Sequence, residues 1–156
     1  GLQGGPHNGT TAAIAIALEE ASTPAFKKYA VQIVKNAKIL SEELRKFGFQ
    51  LTTGGTDNHL MVVDLRNKNL SGKQLAIDLE TAGIVVNYNS VPHDTNPPAN
   101  PSGIRLGTPA LTTRGMKEKE MKAIAKWIFE VSENSSNAFN IAKEVKKMCK
   151  KYPINV

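Results

Sequence analysis

The sequence has 156 residues, the size of one ordinary domain, with 40% hydrophobic and 22% charged residues and a formal net charge of +6. Such a composition excludes a disordered tail and suffices for a real core, and no apolar run approaches the roughly 20 residues a bilayer crossing needs. The single cysteine, Cys149, excludes an internal disulfide and a cysteine-based zinc cluster.

The chain opens on Gly1-Leu2-Gln3-Gly4-Gly5 without an initiator methionine, as if cut from something longer, and this opening does not read as a charged-then-apolar leader. A cytoplasmic setting is the expectation. Much of the positive excess sits in Lys143, Lys146, Lys147, Lys150 and Lys151. That run reads as a solvated helix face with no aromatic interleaving, so neither a nucleic acid nor a membrane is expected as partner.

Residues 1–9 are rich in glycine and turn formers and read as a loop. From Thr10 the composition turns helical and apolar on all sides, the pattern of a helix buried on most of its surface. Thr23-Pro24 restarts the pattern as N-cap and first helical residue. Phe26, Ala30, Ile33, Ala37, Leu40, Leu44 and Phe47 then form a helical stripe that Gly48 is suited to stop.

Phe49–Thr53 and His59–Leu65 read as two strands joined by turn chemistry, hence an antiparallel pair. Ser71-Gly72-Lys73-Gln74 has the form of a capping box for a helix that runs to about Ala82 and ends at Gly83. Ile84–Asn87 reads as a short strand. Asn87 to Gly103 reads as a long irregular loop holding Pro92, Pro97, Pro98 and Pro101, and loops of that length are often functional. Ile104–Thr108 is the third main strand; helices follow at about Lys117–Glu133 and Asn137–Lys150. The expected architecture is α+β, a small, mostly antiparallel sheet covered by helices on one face and preceded by a long connecting helix. That helix carries more apolar surface than so small a sheet would cover, which suggests missing partners.

Several residues could carry chemistry. Arg105 stands between inward-pointing Ile104 and Leu106 and therefore faces the other side of its strand. Its planar fork suits a carboxylate or phosphate; the plainer alternative is an exposed arginine that is solvated or paired with Asp64 or Glu80. Gly4 and Gly5 form either a backbone phosphate cradle or a plain turn. Asn87 and Asn89 flank Tyr88, and an amide could read the edge of a heterocycle, or these are turn residues. His7, His59 and His93 lack metal-ligand spacing, so no metal is expected. His59 reads as a hydrogen-bonded structural histidine, and Cys149 as inert.

The segments GLQGGPHN, GGTDNHLMVVDLR, NSVPHD and SGIRLGTPALTTRG occur in the order and approximate spacing seen in serine hydroxymethyltransferase, and from Gly1 to about Val131 the chain resembles that family. The resemblance implies the type I fold of pyridoxal-phosphate enzymes, with residues 1–22 ending the large cofactor domain, 23–48 a connecting helix and 49–156 the C-terminal small domain. It implies pyridoxal 5'-phosphate as cofactor, tetrahydrofolate as co-substrate, serine and glycine as substrates, a missing N-terminal large domain, and a homodimer or homotetramer at full length. Position by position, it gives Arg105 the substrate carboxylate, Gly4 and Gly5 the cofactor phosphate of the neighbouring subunit, and Asn89 the folate pterin.

The departures matter as much. The family's cofactor lysine, the aspartate on the pyridine nitrogen, the histidine on the ring and the proton-transfer glutamate have no counterpart here, and Gly9 stands where many members have histidine. No catalytic residue is expected in this chain, and inactivity is expected of it alone. The competing expectation is a free-standing, non-enzymatic module that binds a protein partner or an anionic ligand.

Overall fold

The computed structural model describes residues 4–154, so Gly1 to Gln3 of the opening motif lie outside the described residues. The chain divides into two compact units, Gly1–Val31 and Gln32–Val156, with the boundary inside a helix.

The first unit holds α1 (Asn8–Ser22) and the start of α2 (Pro24–Lys46). The break between them is local chemistry. The Thr23 hydroxyl accepts from the Phe26 N–H at 3.2 Å and donates to the Glu20 carbonyl at 2.7 Å, and Pro24 enters the new helix where its missing N–H costs nothing. No residue of α1 is buried. The expectation of a helix covered on most sides is therefore not met within this chain: Ile14, Ile16 and Leu18 are each more than half exposed.

In the second unit the rest of α2 buries Asn36, Ala37, Leu40, Ser41 and Leu44. The helix stops at Gly48, whose φ of 80° lies in the left-handed region. Gly48 N–H donates to the Arg45 carbonyl and Phe49 N–H to the Leu44 carbonyl, the paired bonds of a glycine C-cap. β1 (Gln50–Leu51), β2 (Leu60–Asp64), α3 (Gly72–Thr81), β3 (Asn87–Asn89), β4 (Gly103–Gly107), α4 (Pro109–Thr113), α5 (Glu118–Glu133) and α6 (Ala138–Lys151) follow.

The four strands form one antiparallel sheet in the order β1-β2-β4-β3. Its inner face presents Leu51, Met61, Val63, Ile104 and Leu106 to a core completed by Leu40 and Leu44 of α2, Leu75 and Leu79 of α3, and Met121, Ile124 and Ile128 of α5. The fold is thus α+β, a small sheet with helices on one face. The join between α3 and the sheet is unusually close. A Cβ on Gly72 would lie 2.1 Å from the Gly103 carbonyl oxygen, and one on Gly103 would lie 2.6 Å from a Val91 methyl and 2.7 Å from the Val63 carbonyl oxygen. Only glycine lets these backbones meet.

The local structure departs from the sequence reading or adds to it at three places. The strand expected at Ile84–Asn87 lies at Asn87–Asn89, because Ile84 and Val86 turn toward the core instead of joining the ladder. The segment Pro109–Thr113, between the strand and the helix expected from the sequence, is a helical turn, with the Thr112 hydroxyl donating back to the Thr108 carbonyl at 2.8 Å. At Ser71 only half of the capping box forms. The Gln74 N–H donates to the Ser71 hydroxyl, but the Gln74 side chain donates to Asp78, one turn on.

Candidate functional site

β4 alternates as the sequence requires, with Ile104 and Leu106 buried and Arg105 exposed on the outer face. The register sets Arg105 opposite Val62 of β2 on one side and Asn87 of β3 on the other. Asn89, two residues beyond Asn87, lies on that same face opposite Gly103. Arg105 and Asn89 are thereby diagonal neighbours on adjacent strands.

Arg105 is almost unengaged. Its Nη2 donates to Asn87 Oδ1 at 3.3 Å, and among the described residues it makes no ion pair. Neither carboxylate considered from the sequence serves it. Asp64 is held by Arg66, with Nε 3.0 Å from Oδ1 and Nη2 2.6 Å from Oδ2. The hydrogen bonds from Arg66 keep the Asp64 carboxyl below the usual carboxylate range despite its burial. Glu80 is exposed on α3 and is not among the ion pairs of the described residues. The shallow depression around Arg105 is lined by His59, Leu60, Val85, Val86 and Asn87 and contains no carboxylate. A cation with its fork free, in a neighbourhood without acid, is suited to an incoming anion.

The loop after Asn89 is ordered from within. Asp94 accepts from the Asn96 N–H at 3.0 Å, the Ser102 hydroxyl at 2.8 Å, the Ser102 N–H at 2.9 Å and the Val91 N–H at 3.3 Å. These bonds, led by the Ser102 N–H, hold its carboxyl far below the ordinary range. Arg66 adds donors to the carbonyls of Pro92 and His93, and His93 sits at a φ of 56°. Arg66 and Asp94 are the two residues that sequence reasoning missed. The available signals were the two-residue spacing Asp64-Leu65-Arg66 at a strand end, and Asp94-Thr95-Asn96, an Asx-turn pattern.

The other sequence candidates fall elsewhere. Gly4 and Gly5 belong to the first unit, are exposed, and leave open space where a Cβ would stand. The His59 side chain is exposed and makes no hydrogen bond among the described residues. Its structural role runs instead through its carbonyl, which accepts from the Thr108 N–H at 3.0 Å. Cys149 is a free, partly buried thiol. Among the described residues no cluster of His, Cys, Asp and Glu could hold a metal ion, and no helix is long and apolar enough to cross a membrane.

Fold and site together define an α+β domain that presents one unneutralised arginine and two strand amides on an open sheet face. Comparison with known proteins gives that description a family: the serine hydroxymethyltransferase profile matches residues 1–128, and the chain belongs to that family. It is 52% identical over 156 residues to the serine hydroxymethyltransferase of Sorangium cellulosum, a match covering 98% of this chain and 37% of the relative. The enzymes of Desulfotalea psychrophila and Acidothermus cellulolyticus are each 54% identical, again over 98% of this chain and over 37% and 38% of their own lengths. The chain thus spans well under half the length of these relatives.

Proposed function

We propose that this chain is the C-terminal part of a pyridoxal-phosphate-dependent enzyme that interconverts serine plus tetrahydrofolate and glycine plus 5,10-methylenetetrahydrofolate. The observation that carries the reading is Arg105, a guanidinium on the outer sheet face with one amide contact and no carboxylate in its surroundings. It binds the amino-acid carboxylate through a two-point contact, so that the bond to be broken at the α-carbon is held in one orientation.

The donor groups present suit the anionic margins of such a complex. Gly4 and Gly5 expose backbone with no side chain in the way and would serve the cofactor phosphate in the site of a neighbouring subunit. Asn89 on β3 would serve the pterin of the folate, its strand fixed by pairing with β4 and the following loop fixed by Asp94. When bound, pyridoxal phosphate supplies the electron sink for the bond broken at the α-carbon. The residues here orient and bind; the lysine, aspartate, histidine and glutamate that the resemblance leads one to expect lie outside these 156 positions. The chain alone is therefore inactive, and the complete enzyme is a cytoplasmic homodimer or homotetramer.

In the complete enzyme, Arg105→Ala is expected to lower kcat/KM for serine by about 3–5 kcal/mol, the cost of leaving a carboxylate without its charged partner. Steady-state kinetics check this, and an unchanged KM and kcat would remove Arg105 from the role. Serine cleavage by the purified 156-residue chain would equally overturn its inactivity.

A further inference from the structure

We propose that Asn87 is a positioning residue for Arg105, keeping its guanidinium aimed while leaving its charge available; the inference rests on the reading of Arg105 as the carboxylate ligand. The register places the two residues directly opposite each other on adjacent strands, and Arg105 Nη2 donates to Asn87 Oδ1 at 3.3 Å. That is the single hydrogen bond of the Arg105 side chain among the described residues. A long arginine on an open sheet face otherwise samples many rotamers, and each one lost on binding weakens the ligand's grip.

The partner's chemistry matters as much as its place. A guanidinium has five N–H donors, and the Asn87 carbonyl takes one, so a two-point edge remains for a carboxylate. An aspartate at the same position would have nearly the same shape but would form an ion pair and compete with the ligand for the same fork. The surroundings follow one logic. Asp64, the acid nearest in the ladder, is occupied by Arg66, and no residue lining the depression is acidic. Asparagine is also a poor strand former, and Asn87 is exposed in a strand of three residues, so neither burial nor propensity favours an amide there.

The test uses the complete enzyme with Asn87→Ala, Asn87→Gln, Asn87→Asp and Arg105→Ala. Glycine affinity is measured by calorimetry, KM and kcat for serine are measured separately, and thermal melting monitors folding. Asn87→Ala is expected to weaken glycine about tenfold, the loss of one hydrogen bond to a charged group, with kcat little changed. Asn87→Asp is expected to weaken it by about a hundredfold despite its near-identical shape, and Asn87→Gln, which keeps the amide, recovers part of the loss seen in Asn87→Ala. A merely structural role predicts the reverse order, with Asn87→Asp mildest and Asn87→Ala worst. Glycine affinity in Asn87→Asp equal to or better than in Asn87→Ala overturns the inference. If Arg105→Ala binds glycine normally, the carboxylate reading itself fails; if Arg105→Ala loses glycine while Asn87→Asp does not, only the role of Asn87 fails.

Discussion

The strand half (Gly103–Gly107) and the helical half (Thr108–Gly115) of residues 103–115 treat their polar side chains in opposite ways. In β4, Arg105 reaches the open face with one long hydrogen bond. From Thr108 to Gly115 nearly every polar group is engaged by the protein itself. The Thr108 hydroxyl donates to the Ile33 carbonyl, and Thr112 accepts from buried Asn36 at 2.9 Å. Arg114 donates from Nε to the Tyr152 carbonyl and from Nη2 to the Cys149 carbonyl, closing the end of α6. Two arginines nine positions apart thus have different work. One completes the fold, and the other is left incomplete by the fold. The same contrast separates Arg105 from Arg66, whose fork is filled by Asp64.

The contrast can be broken by exchanging which property each half controls. The largest effect on stability is expected at Asn36, fully buried where α2 meets the helical half. Its Nδ2 donates to Thr112 and to the Met116 carbonyl, and its Oδ1 accepts from Gln32. Asn36→Leu leaves that carbonyl buried without a donor and should cost about 2–3 kcal/mol. The expected result is a lower urea midpoint with an unchanged m-value and, in the complete enzyme, glycine affinity within twofold of the parent. A large loss of glycine affinity at equal stability would show that the helical half does more than support.

A smaller effect is expected at Arg114. Arg114→Lys keeps the charge but cannot reach two carbonyls in a fixed plane, so it should lose about 1–2 kcal/mol of stability with no effect on substrate KM. Arg105→Lys should do the opposite, leaving the melting temperature in place while raising KM for serine. Matching outcomes for the two lysine variants would dissolve the distinction between the halves.

How far this division could be read beforehand depends on the residue. The long helices were legible because α2 and α5 carry their apolar stripes at helical spacing, and Gly48 and Gly83 do mark ends, each at positive φ. α4 was not, because five residues with paired β-branched threonines have no helical periodicity; buried hydrogen bonds to Asn36 and Thr108 set it. The start of β3 was misread because Ile84-Val85-Val86 looks like a buried strand, whereas the ladder begins where the apolar run ends. Arg105 was legible as a residue of interest, but its freedom was not. That freedom depends on Arg66 claiming Asp64, and local sequence gives Asp64 to either arginine equally well. The order of the proline-rich loop was illegible for a related reason, since one carboxylate gathers four donors from three places in the chain.

That carboxylate supplies the smallest and most local prediction. Asp94 has a folded-state pKa depressed chiefly by the Ser102 N–H, so its contribution is fully present above the unfolded value of about 4 and is lost as pH falls toward the depressed value. Global unfolding would blur this. Asp64, lowered by Arg66, and Glu118, held at about 2 chiefly by its hydrogen bond with Lys35, discharge in the same acid range. The useful readout is therefore amide hydrogen exchange at Asn96 and Ser102, whose N–H groups donate to Asp94 directly. After correction for intrinsic exchange, their protection should be flat from pH 7 to about 4 and fall below it. In Asp94→Asn the Ser102 N–H should already be poorly protected at pH 7 and stay so at lower pH, because an amide with its oxygen kept toward the Asn96 N–H turns the other acceptor oxygen into a donor facing the Val91 and Ser102 N–H groups. If the pterin is read by Asn89 at the head of this loop, the same variant should weaken folate by about tenfold and leave glycine unaffected. Loss of glycine instead would place the amino-acid and folate ends of the site under one control, and the sheet face would have to be treated as a single unit.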